Sequence, residues 1–361
     1  MVFGITKPFH LMYDYLVIGQ GLAGTILTER LHRLGKSFLV IDEPTQPSSS
    51  QAAGGMFNPV TGKALTKTWL ADTLFPYLES YYRDLENRWE SVFFYPIPLF
   101  RPFVHEAQKK QFLTILESED LSDYITYQDT PTELTSSIQA PLGGLITHKT
   151  GWVDVPVFLA CWRSFLQSNQ LLREESFDWS AIEWGESFST YRGISFKKLV
   201  ACEGFYAREN PYFAWLPFNP VKGETLRVQA PGLSDHYIVN QGNWSIPLGG
   251  GEFRWGATYV WHRLDWEPTQ DGRDYIEKKI QGFYSGEYTV VDQLAGVRPT
   301  IKDRRPIMGP HPAQANLYIL NGLGTKGVSL GPYLIHQWVD HLEFGKEILK
   351  EVTIERFYSL Y

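Results

Sequence analysis

The order of apolar and polar positions near the start of the chain predicts a strand, a helix and a second strand. An apolar run at residues 15–18 leads into a glycine-rich turn, and leucines and isoleucines follow at helical spacing as far as Leu34. A second apolar run, residues 38–41, ends at Asp42. Unbroken apolar runs of this length are typical of strands buried on both faces of a parallel sheet.

Further along the chain, the same periodicities predict more helices and strands. Helices are expected at 66–90, where Pro76 should introduce a kink, at 105–118, from Asp154 as N-cap through Phe165, and at 329–342. Strands are expected at 93–104, 196–204, 224–228, 238–246, 252–259 and 317–320. The short alternating segments between residues 221 and 259 predict an antiparallel sheet that covers a ligand like a roof.

Length and charge narrow the class of protein. A chain of 361 residues exceeds the usual single core, so two closely connected domains are expected. The net charge of −7 argues against a surface that coats nucleic acid, and small-molecule partners are expected instead. No apolar run is long enough for a membrane span, and the N-terminus lacks the layout of a secretory signal.

The cysteines and the start of the chain bear on compartment and organisation. Cys161 and Cys202 lie in apolar surroundings without a metal-type spacing, which predicts core positions, no disulfide and a cytoplasmic location. Residues 1–11 precede the first strand and are interpreted as an extension with little role in the fold. The oligomeric state is left open.

The turn after the first strand has the spacing of a dinucleotide-binding loop. Gly19 permits a tight turn, Gly21 allows the backbone to approach a pyrophosphate, and Gly24 lets the helix pack on the strand. The phosphates then meet the exposed N–H groups of the helix N-terminus. Asp42, at the end of the second strand, is suited to accept hydrogen bonds from a ribose hydroxyl. Together these features predict a bound dinucleotide.

Three blocks of sequence together point to a known family. They are residues 19–24 with Asp42, residues 49–56, and residues 296–309 followed by 317–327. With these blocks in this order, the chain resembles the D-amino-acid oxidase superfamily of FAD-dependent oxidoreductases, in particular its glycine and sarcosine oxidase branch. Segments 50–59, 255–259 and 322–327 are also similar to the oxidase domain of the bifunctional enzymes that modify the wobble uridine of tRNA.

The resemblance implies an α/β fold with two parts. These are a Rossmann-type, glutathione-reductase-like FAD-binding domain and an interleaved α+β substrate domain built on an antiparallel sheet. The first is expected to comprise residues 12–60, 142–212 and 291–361, and the second residues 61–141 and 213–290. The implied cofactor is FAD rather than NAD. Noncovalent binding is expected, because segment 298–309 has no cysteine where some family members tether their flavin.

The resemblance also implies which residues contact FAD. Segment 50–56 is expected to pass along the flavin ring, and the loop 322–327 to bracket its pyrimidine end. Helix N-terminal amides at that loop, together with Lys326, suit the stabilisation of negative charge on the ring. The alternative for Lys326 is a solvated loop lysine, and for Gly204 an ordinary strand-end turn. The expected FAD contacts are Gly19, Gly21, Leu22, Ala23, Gly24, Asp42, Ser50, Ala52, Ala53, Gly54, Gly55, Met56, Gly204, Arg298, Gly322, Gly324, Thr325, Lys326 and Gly327.

Four side chains are expected to contact the substrate. In the glycine oxidase branch the arginine of an Arg-Pro pair holds the substrate carboxylate, so the resemblance gives this role to Arg298, unless an internal acid pairs with it. Trp244 and Tyr259 are expected to wall the pocket, with core positions as the alternative. Arg254 falls near the place where sarcosine oxidases carry a lysine associated with oxygen activation. The candidate catalytic residues are Arg298, Tyr259 and Lys326.

The expected activity is oxidation of the C–N bond of a small amine or amino acid by hydride transfer to flavin N5. Imine hydrolysis and flavin reoxidation by oxygen or another electron acceptor would follow. Thr325 stands where glycine oxidase has an arginine, so strict glycine specificity is not expected. Three alternatives stay open. They are oxidation of a 2-hydroxy acid, favoured by an inward-facing histidine; a flavoprotein without turnover; and tRNA modification, with Lys302, Arg304 and Arg305 as a basic stripe rather than a solvated loop.

Overall fold

The computed structural model describes residues 12–361, so the expected extension, residues 1–11, lies outside the described residues. The helices are α1 (Leu22–Arg33), α2 (Ala71–Trp89), α3 (Glu106–Ser118), α4 (Val155–Ser168), α5 (Gln270–Ile280) and α6 (Gly327–Phe344). The strands are β1 (Met12–Ile18), β2 (Phe38–Asp42), β3 (Met56–Phe57), β4 (Val60–Thr61), β5 (Thr66–Lys67), β6 (Phe94–Tyr95), β7 (Leu99–Pro102), β8 (Ile125–Gln128), β9 (Gly144–Thr147), β10 (Gly151–Val153), β11 (Leu172–Glu174), β12 (Ile182–Glu183), β13 (Ser189–Tyr191), β14 (Ile194–Ala201), β15 (Val221–Gln229), β16 (Ile238–Asn240), β17 (Trp244–Gly249), β18 (Glu252–Gly256), β19 (Thr289–Arg298), β20 (Ile307–His311) and β21 (Gln314–Asn321).

The first sheet has a parallel core in the order β11, β2, β1, β14 and β21. Successive residues of β1 enter two different hydrophobic layers. Tyr15 and Val17 pack in the layer that contains the apolar faces of α1, α4 and α6, whereas Leu16 and Ile18 pack in a layer with Phe213. Because both faces of the strand are buried, every position must be apolar, which explains the unbroken run in the sequence.

The second sheet runs in the order β19, β15, β18, β17, β16, β7, β9 and β8. Its neighbouring strands are antiparallel except for β16 and β7. Phe253 and Trp255 point from β18 into a hydrophobic cluster shared with Ile276 and Ile280 of α5. The expected α/β fold class, with its antiparallel second sheet, is therefore confirmed.

Several predicted elements have different bounds in the structure. The helix predicted at 66–90 begins only at Ala71, because β5 pairs with β4 and Leu70 has a left-handed φ of 57°. The strand predicted at 238–246 is two strands, β16 and β17, which pair with each other around a turn. β18 ends at Gly256, so Tyr259 lies beyond the strand on which it was expected.

The expected division into two domains differs from the sheets at two strands. β9 and β19 lie in the second sheet, although segments 142–212 and 291–361 are expected in the FAD-binding domain. β19 forms a ladder along the whole of β15, and β9 pairs with both β7 and β8. These ladders place both strands in the second sheet. The division into two domains stays a prediction.

Both cysteines are free thiols, in different surroundings. Cys202 is buried, as expected for a core residue. Cys161 is only half-buried, and its Sγ donates a hydrogen bond to Ser91 Oγ at 3.3 Å. The predicted core position is therefore wrong for Cys161.

Candidate functional site

A cavity of about 500 Å³ lies at the carboxyl ends of the parallel strands. The second sheet closes its opposite side through residues of β15, β17 and β19. The carboxyl ends of parallel strands are the usual place for ligands in sheets of this type. The wall at the strand ends is formed by Ile18, Ile41, Glu175, Cys202 and Leu320.

The glycine loop after β1 is shaped by close backbone contacts. A Cβ on Gly24 would lie 2.0 Å from the carbonyl oxygen of Gly19, so a side chain there would separate α1 from the loop. Gly19 has a φ of +98°, and a Cβ on it would lie 2.6 Å from the carbonyl oxygen of Cys202. Gly21 is less crowded, because the atom nearest to a Cβ on it would be Ser50 Oγ, at 3.3 Å. Gly19, Gly21, Leu22 and Ala23 line the cavity, while Gly24 packs beneath it.

Asp42 ends β2 at the cavity wall with its carboxylate already oriented. Its Oδ1 accepts a hydrogen bond from the backbone N–H of Gln20 at 2.8 Å, and its Oδ2 accepts one from Arg163 Nη1 at 2.7 Å. The carboxylate remains about 20% exposed. Since each carboxylate oxygen can accept a second hydrogen bond, Asp42 keeps capacity for a ribose hydroxyl.

Segment 50–56 forms the wall between the glycine loop and the second sheet. Ser50 Oγ accepts a hydrogen bond from the backbone N–H of Leu22 at 3.1 Å. A Cβ on Gly54 would lie 2.7 Å from the ring of Trp244, and one on Gly55 would lie 1.9 Å from the carbonyl oxygen of Val153. Both glycines are therefore required by close approach. The residues of this segment that line the cavity are Ser50, Ala52, Ala53, Gly54, Gly55 and Met56.

A second glycine-rich loop leads from β21 into α6. Gly322 and Gly324 have φ values of +76° and +56°, in the region that favours glycine. A Cβ on Gly327 would lie 2.7 Å from Leu22, so this glycine lets α6 approach α1. Gly204 is joined to the loop, because its carbonyl accepts a hydrogen bond from Asn321 Nδ2 at 2.9 Å. Gly204, Gly322, Gly324, Thr325, Lys326 and Gly327 all line the cavity.

Arg298 brings a positive charge to the cavity at the end of β19. Its Nη1 donates a hydrogen bond to the carbonyl oxygen of Thr258 at 3.2 Å, and its guanidinium lies 4.5 Å from the ring centre of Tyr259. Burial lowers the pKa of Arg298, yet a guanidinium keeps its proton in proteins. Among residues 12–361 it has no carboxylate partner within ion-pair distance, so the expected alternative of an internal acid is not what the structure contains.

Room for the Arg298 side chain comes from Gly223. A Cβ on Gly223 would lie 2.0 Å from Arg298 Nη2. Gly223 lies on β15 directly opposite Gly296, two residues from Arg298 along β19. A glycine in the interior of a strand often marks such a close approach. Gly223 is a site residue that sequence reasoning missed, because the strand predicted at 224–228 begins after it, whereas β15 begins at Val221.

Lys326 brings a second positive charge to the cavity wall. It is the N-cap of α6, and its Nζ donates to Thr68 Oγ1 at 3.0 Å. Burial lowers the pKa of Lys326, and the nearby charge of Arg305 lowers it further. In the described chain its ammonium has no carboxylate partner. This half-buried position differs from the solvated loop lysine considered as the alternative.

The two aromatic residues expected at the pocket differ in exposure. Trp244 is half-buried between the sheets, where a Cβ on Gly54 or Gly256 would approach its ring to within 2.7 and 2.8 Å. Tyr259 is 53% exposed and stacks with Trp261 at 6.3 Å between ring centres. Both Trp244 and Tyr259 line the cavity, the first inside and the second at its mouth.

Arg254 does not line the cavity, in contrast to the expectation that it contacts substrate. Its Nη1 donates to the backbone carbonyl of Ala53 at 2.6 Å. Burial lowers the pKa of Arg254. The side chain lies behind segment 50–56 because it projects from β18 toward that backbone. Its position indicates support of the wall rather than contact with substrate.

An aromatic group at the cavity was not predicted from the sequence. Trp266 packs against Phe205 and stacks with Tyr206, with ring centres 5.8 and 6.0 Å apart. The Tyr206 hydroxyl donates to the carbonyl oxygen of Pro47 at 3.0 Å. Phe205 and Tyr206 directly follow Gly204, a predicted cofactor contact, so their position in the sequence was a signal that they line the cavity. Nothing in the sequence marks Trp266.

Acidic residues gather at the β2 end of the cavity. Glu43 and Glu175 line the wall near Asp42, and Glu203 lines the cavity at the end of β14. Glu203 accepts hydrogen bonds from Trp179 Nε1 at 3.0 Å and Asn210 Nδ2 at 2.6 Å, and burial raises its pKa. The cavity therefore has an acidic end near β2 and a basic end near Arg298 and Lys326. These acids other than Asp42 were also missed. Glu175 follows β11, which the sequence pattern did not predict, and Glu203 lies just beyond β14, which was predicted to continue to residue 204. Glu43 directly follows the correctly predicted β2, so for this residue a signal was present.

The structure also describes the residues that the alternative functions would use. Lys302 and Arg304 are exposed, whereas Arg305 packs over the ring of Trp69 at 4.4 Å. Among the described residues that line the cavity there is no histidine, and residues 12–361 contain no cluster suited to a metal ion. None of the helices between residues 12 and 361 combines the length and apolar character of a membrane span.

The arrangement fits an extended dinucleotide. The glycine loop and the N-terminus of α1 offer N–H groups for a pyrophosphate, and Asp42 lies one strand away for the ribose. Segment 50–56 and the 322–327 loop line the same cavity as Arg298. The site can therefore hold a long cofactor with one end among acids and the other beside two cations.

Comparison with known proteins agrees with this geometry. The family model described as DAO, FAD-dependent oxidoreductase, matches residues 14–336. The tRNA 5-methylaminomethyl-2-thiouridine biosynthesis bifunctional protein MnmC of Marinobacter nauticus is 22% identical over 91% of this chain and 55% of its own length. The chain thus spans about half the length of that relative.

Solved structures share the whole fold. Glycine oxidase from Geobacillus kaustophilus has a TM-score of 0.74 and 21% identity, covering 93% of this chain and 95% of that one. Iminodiacetate oxidase from a Chelativorans species has a TM-score of 0.77 and 19% identity, covering 95% and 98%. At these identities, the likeness to the two structures concerns the fold.

Proposed function

The chain belongs to the DAO family of FAD-dependent oxidoreductases, and we propose that it oxidises the C–N bond of a small amine or amino acid. Small amino acids and N-substituted glycines are the substrates we infer. FAD, when bound, supplies the two-electron chemistry by accepting a hydride at N5 and passing electrons to oxygen or another acceptor. The imine product hydrolyses in water.

The unpaired guanidinium of Arg298 is the observation that carries this proposal. A half-buried cation without a carboxylate partner is costly unless a ligand supplies the negative charge. The planar fork of arginine is suited to two parallel hydrogen bonds with a carboxylate. The guanidinium donates to the Thr258 carbonyl and lies over the Tyr259 ring, and we propose that its remaining N–H groups donate to the substrate carboxylate.

The two cations also act on the substrate amine. A positive charge near an ammonium group favours loss of its proton. With Arg298 and Lys326 both at the wall, the amine is expected to bind in its neutral form, with a lone pair available for imine formation. This step requires no histidine. The 2-hydroxy acid alternative, in contrast, would be favoured by an inward-facing histidine that acts as base.

The cavity wall provides the other roles in the proposal. The glycine loop, Asp42 and segment 50–56 would hold the FAD, with the 322–327 loop and Gly204 at the flavin end. Lys326 and the N-terminus of α6 supply positive potential at that end. Trp244 and Tyr259 cover the space beside Arg298 and limit the entry of water.

An absorbance spectrum of the purified protein, followed by anaerobic additions, tests the proposal. We expect flavin absorbance that is bleached by one or more small amino acids or by N-methylglycine. Bleaching by 2-hydroxy acids alone would contradict the C–N chemistry. Flavin that none of these compounds can bleach would favour a protein without turnover. A colourless protein that takes up no added FAD would contradict the cofactor assignment.

The likeness to MnmC favours one second candidate, tRNA modification. It would require salt-sensitive tRNA binding that depends on Lys302 and Arg304, the two exposed cations of the 302–305 segment. The net charge of −7 opposes such binding. Filter binding of tRNA at low and moderate salt, with a Lys302→Glu/Arg304→Glu variant, distinguishes the two candidates.

A further inference from the structure

Arg163 joins three parts of the acidic end of the cavity. It projects from α4, outside the strands and loops of the dinucleotide site. Its Nη1 donates to Asp42 Oδ2 at 2.7 Å and to Gln20 Oε1 at 2.9 Å. Its Nη2 and Nε donate to Glu174 Oε1 at 2.6 and 3.2 Å. One guanidinium therefore links the glycine loop, the end of β2 and the end of β11.

These contacts restrict the orientation of Asp42. Its Oδ1 is held by the backbone N–H of Gln20, which belongs to the glycine loop, and its Oδ2 by Arg163. Gln20 is itself fixed, because its Nε2 donates to Thr25 Oγ1 at 3.0 Å and to the carbonyl of Leu159 at 3.1 Å. Without Arg163, only the contact to Gln20 N–H would remain to orient the carboxylate.

Arg163 also compensates local negative charge. Asp42 and Glu174 both lie within ion-pair distance of it, at 2.7 and 2.6 Å. Glu43 and Glu175 line the cavity beside them, and Glu175 Oε1 is buried without a hydrogen-bond partner. A dinucleotide brings further negative charge in its pyrophosphate. Loss of the Arg163 guanidinium would raise the electrostatic repulsion that the cofactor meets.

We propose that Arg163 is a positioning residue for FAD, acting through Asp42 on the adenosine end of the cofactor. The inference uses the expected contact between Asp42 and the ribose, and it is independent of the substrate proposed above. Removal of the guanidinium would release the Asp42 carboxylate from its orientation and weaken FAD binding. The substrate end, with Arg298 and Lys326, would keep its geometry.

FAD affinity tests this role without any turnover. Holoenzyme is serially diluted and the released flavin is measured by its fluorescence, for wild type, Arg163→Ala, Arg163→Lys, Asp42→Asn and the Arg163→Ala/Asp42→Asn double variant. Arg173→Ala is the matched control, because Arg173 is exposed on neighbouring β11 and its loss removes the same charge. Thermal unfolding of each variant as apoprotein reports on the fold without the stabilising effect of bound FAD.

We expect Arg163→Ala to weaken FAD binding by roughly 10- to 100-fold, the range for losing a hydrogen-bonded charge partner. Arg163→Lys should restore part of the affinity, and Arg173→Ala should match wild type. Because Arg163 acts through Asp42, the two effects should not add. The double variant should have about the same FAD affinity as whichever single variant has the lower FAD affinity. A purely structural role would not produce this coupling.

Four results would overturn the proposal. They are unchanged FAD affinity in Arg163→Ala, an equal loss in Arg173→Ala, fully additive effects in the double variant, or no recovery with lysine. If Arg163→Ala fails to fold, Arg163→Lys and Asp42→Asn decide, since both should then weaken FAD binding while the melting temperature of the apoprotein stays at the wild-type value. Failure of these tests would leave the proposed C–N chemistry untouched, and failure to oxidise amines would leave the FAD result untouched.

Discussion

The acidic and basic ends of the cavity differ in how their charges are compensated. At the β2 end, Asp42 has two hydrogen-bond donors and Arg163 has two carboxylate partners. At the other end, the side chains of Arg298 and Lys326 donate to Thr258 and Thr68, and neither has a carboxylate partner within residues 12–361. The Asp42–Arg163 network has its partners within the protein, whereas the other end has two half-buried cations that a ligand could neutralise.

This difference suits the two ends to different ligands, the acidic end to a cofactor that stays bound and the basic end to a substrate that binds and leaves. A network that is satisfied before binding holds its geometry whether or not ligand is present, which suits a cofactor. Unpaired cations removed from water raise the energy of the empty site and favour an anionic ligand when it arrives. Under the proposed function, the same charges would lower the pKa of a substrate amine. We therefore propose that one end retains the cofactor and the other recognises the substrate.

The largest expected effect comes from removing the cation at the substrate end. Arg298→Ala should lower kcat/KM for an amino acid substrate roughly 100- to 1,000-fold, because the bound carboxylate loses a charged partner worth about 3–4 kcal/mol. Steady-state kinetics measure the change. Arg227→Ala is the control, since Arg227 is an exposed residue of the same sheet. An amine without a carboxylate should have the same kcat/KM in wild type and Arg298→Ala. A lower kcat/KM for that amine in Arg298→Ala would contradict the assignment.

Alanine substitutions at two glycines of the cofactor end should distinguish loss of cofactor contact from loss of packing. Gly21→Ala leaves the nearest atom at 3.3 Å, so it should preserve the melting temperature of the apoprotein and weaken FAD binding about tenfold by blocking approach of the pyrophosphate. Gly24→Ala places a carbon 2.0 Å from Gly19 and should lower both stability, by about 1–3 kcal/mol, and FAD affinity. FAD titrations and thermal unfolding measure the pair.

The control for this pair is Gly232→Ala, where the nearest atom is the Tyr284 hydroxyl at 3.4 Å. It should resemble wild type in both measurements. Equal FAD affinity in Gly21→Ala and wild type would show that the glycine loop does not approach the cofactor.

Lys326 predicts a pH dependence of stability at the substrate end. Burial, with the charge of Arg305, lowers its pKa below the ordinary value of 10.5, so the unfolded chain binds more protons than the folded one between the two values. Its contribution to stability should therefore rise with pH through that window. Lys326→Met should remove this rise and increase the Tm of the apoprotein near neutral pH by about 2 °C. Thermal unfolding across the alkaline range measures it.

Lys302→Met is the control for Lys326, because Lys302 is exposed on the neighbouring segment. It should leave the pH profile unchanged. A Lys326→Met profile that is identical to wild type would show that Lys326 carries no uncompensated charge in the apoprotein.

The smallest effect is expected for Arg254, which supports the wall from behind. Arg254→Met removes the hydrogen bond to the Ala53 carbonyl and leaves the cavity lining unchanged. We expect KM to stay within about twofold of wild type and stability to fall by about 1 kcal/mol. A large change in KM or in the rate of flavin reoxidation would restore the expectation that Arg254 acts on substrate or oxygen.

The sequence predicted the parts of the site that depend on local spacing. The apolar runs, the glycine loop and Asp42 follow one another within a single strand–helix–strand unit, so their meeting needs no tertiary information. The place of Arg298 came from the resemblance to a family rather than from any pattern. The helix at 66–90 was predicted too long, because the pairing of β5 with β4 overrides the apolar periodicity.

Contacts made across the chain could not be predicted in this way. Arg163 meets Asp42 from 121 residues away, and nothing local to either residue marks the pair. The position of Arg254 likewise depends on how β18 packs behind Ala53. A glycine inside a strand indicates close approach, but Gly223 lies before the strand predicted at 224–228, and its contact with Arg298 is set by the pairing of β15 with β19.

Binding of an unreactive carboxylate to the oxidised holoenzyme tests the central claim most directly. Acetate is titrated into wild type, Arg298→Ala and Arg227→Ala, and the visible flavin spectrum is followed. The account predicts a saturable spectral change in wild type and Arg227→Ala that is absent in Arg298→Ala. An equal change in Arg298→Ala, or none in wild type, would contradict the assignment of Arg298 as the carboxylate site beside the flavin.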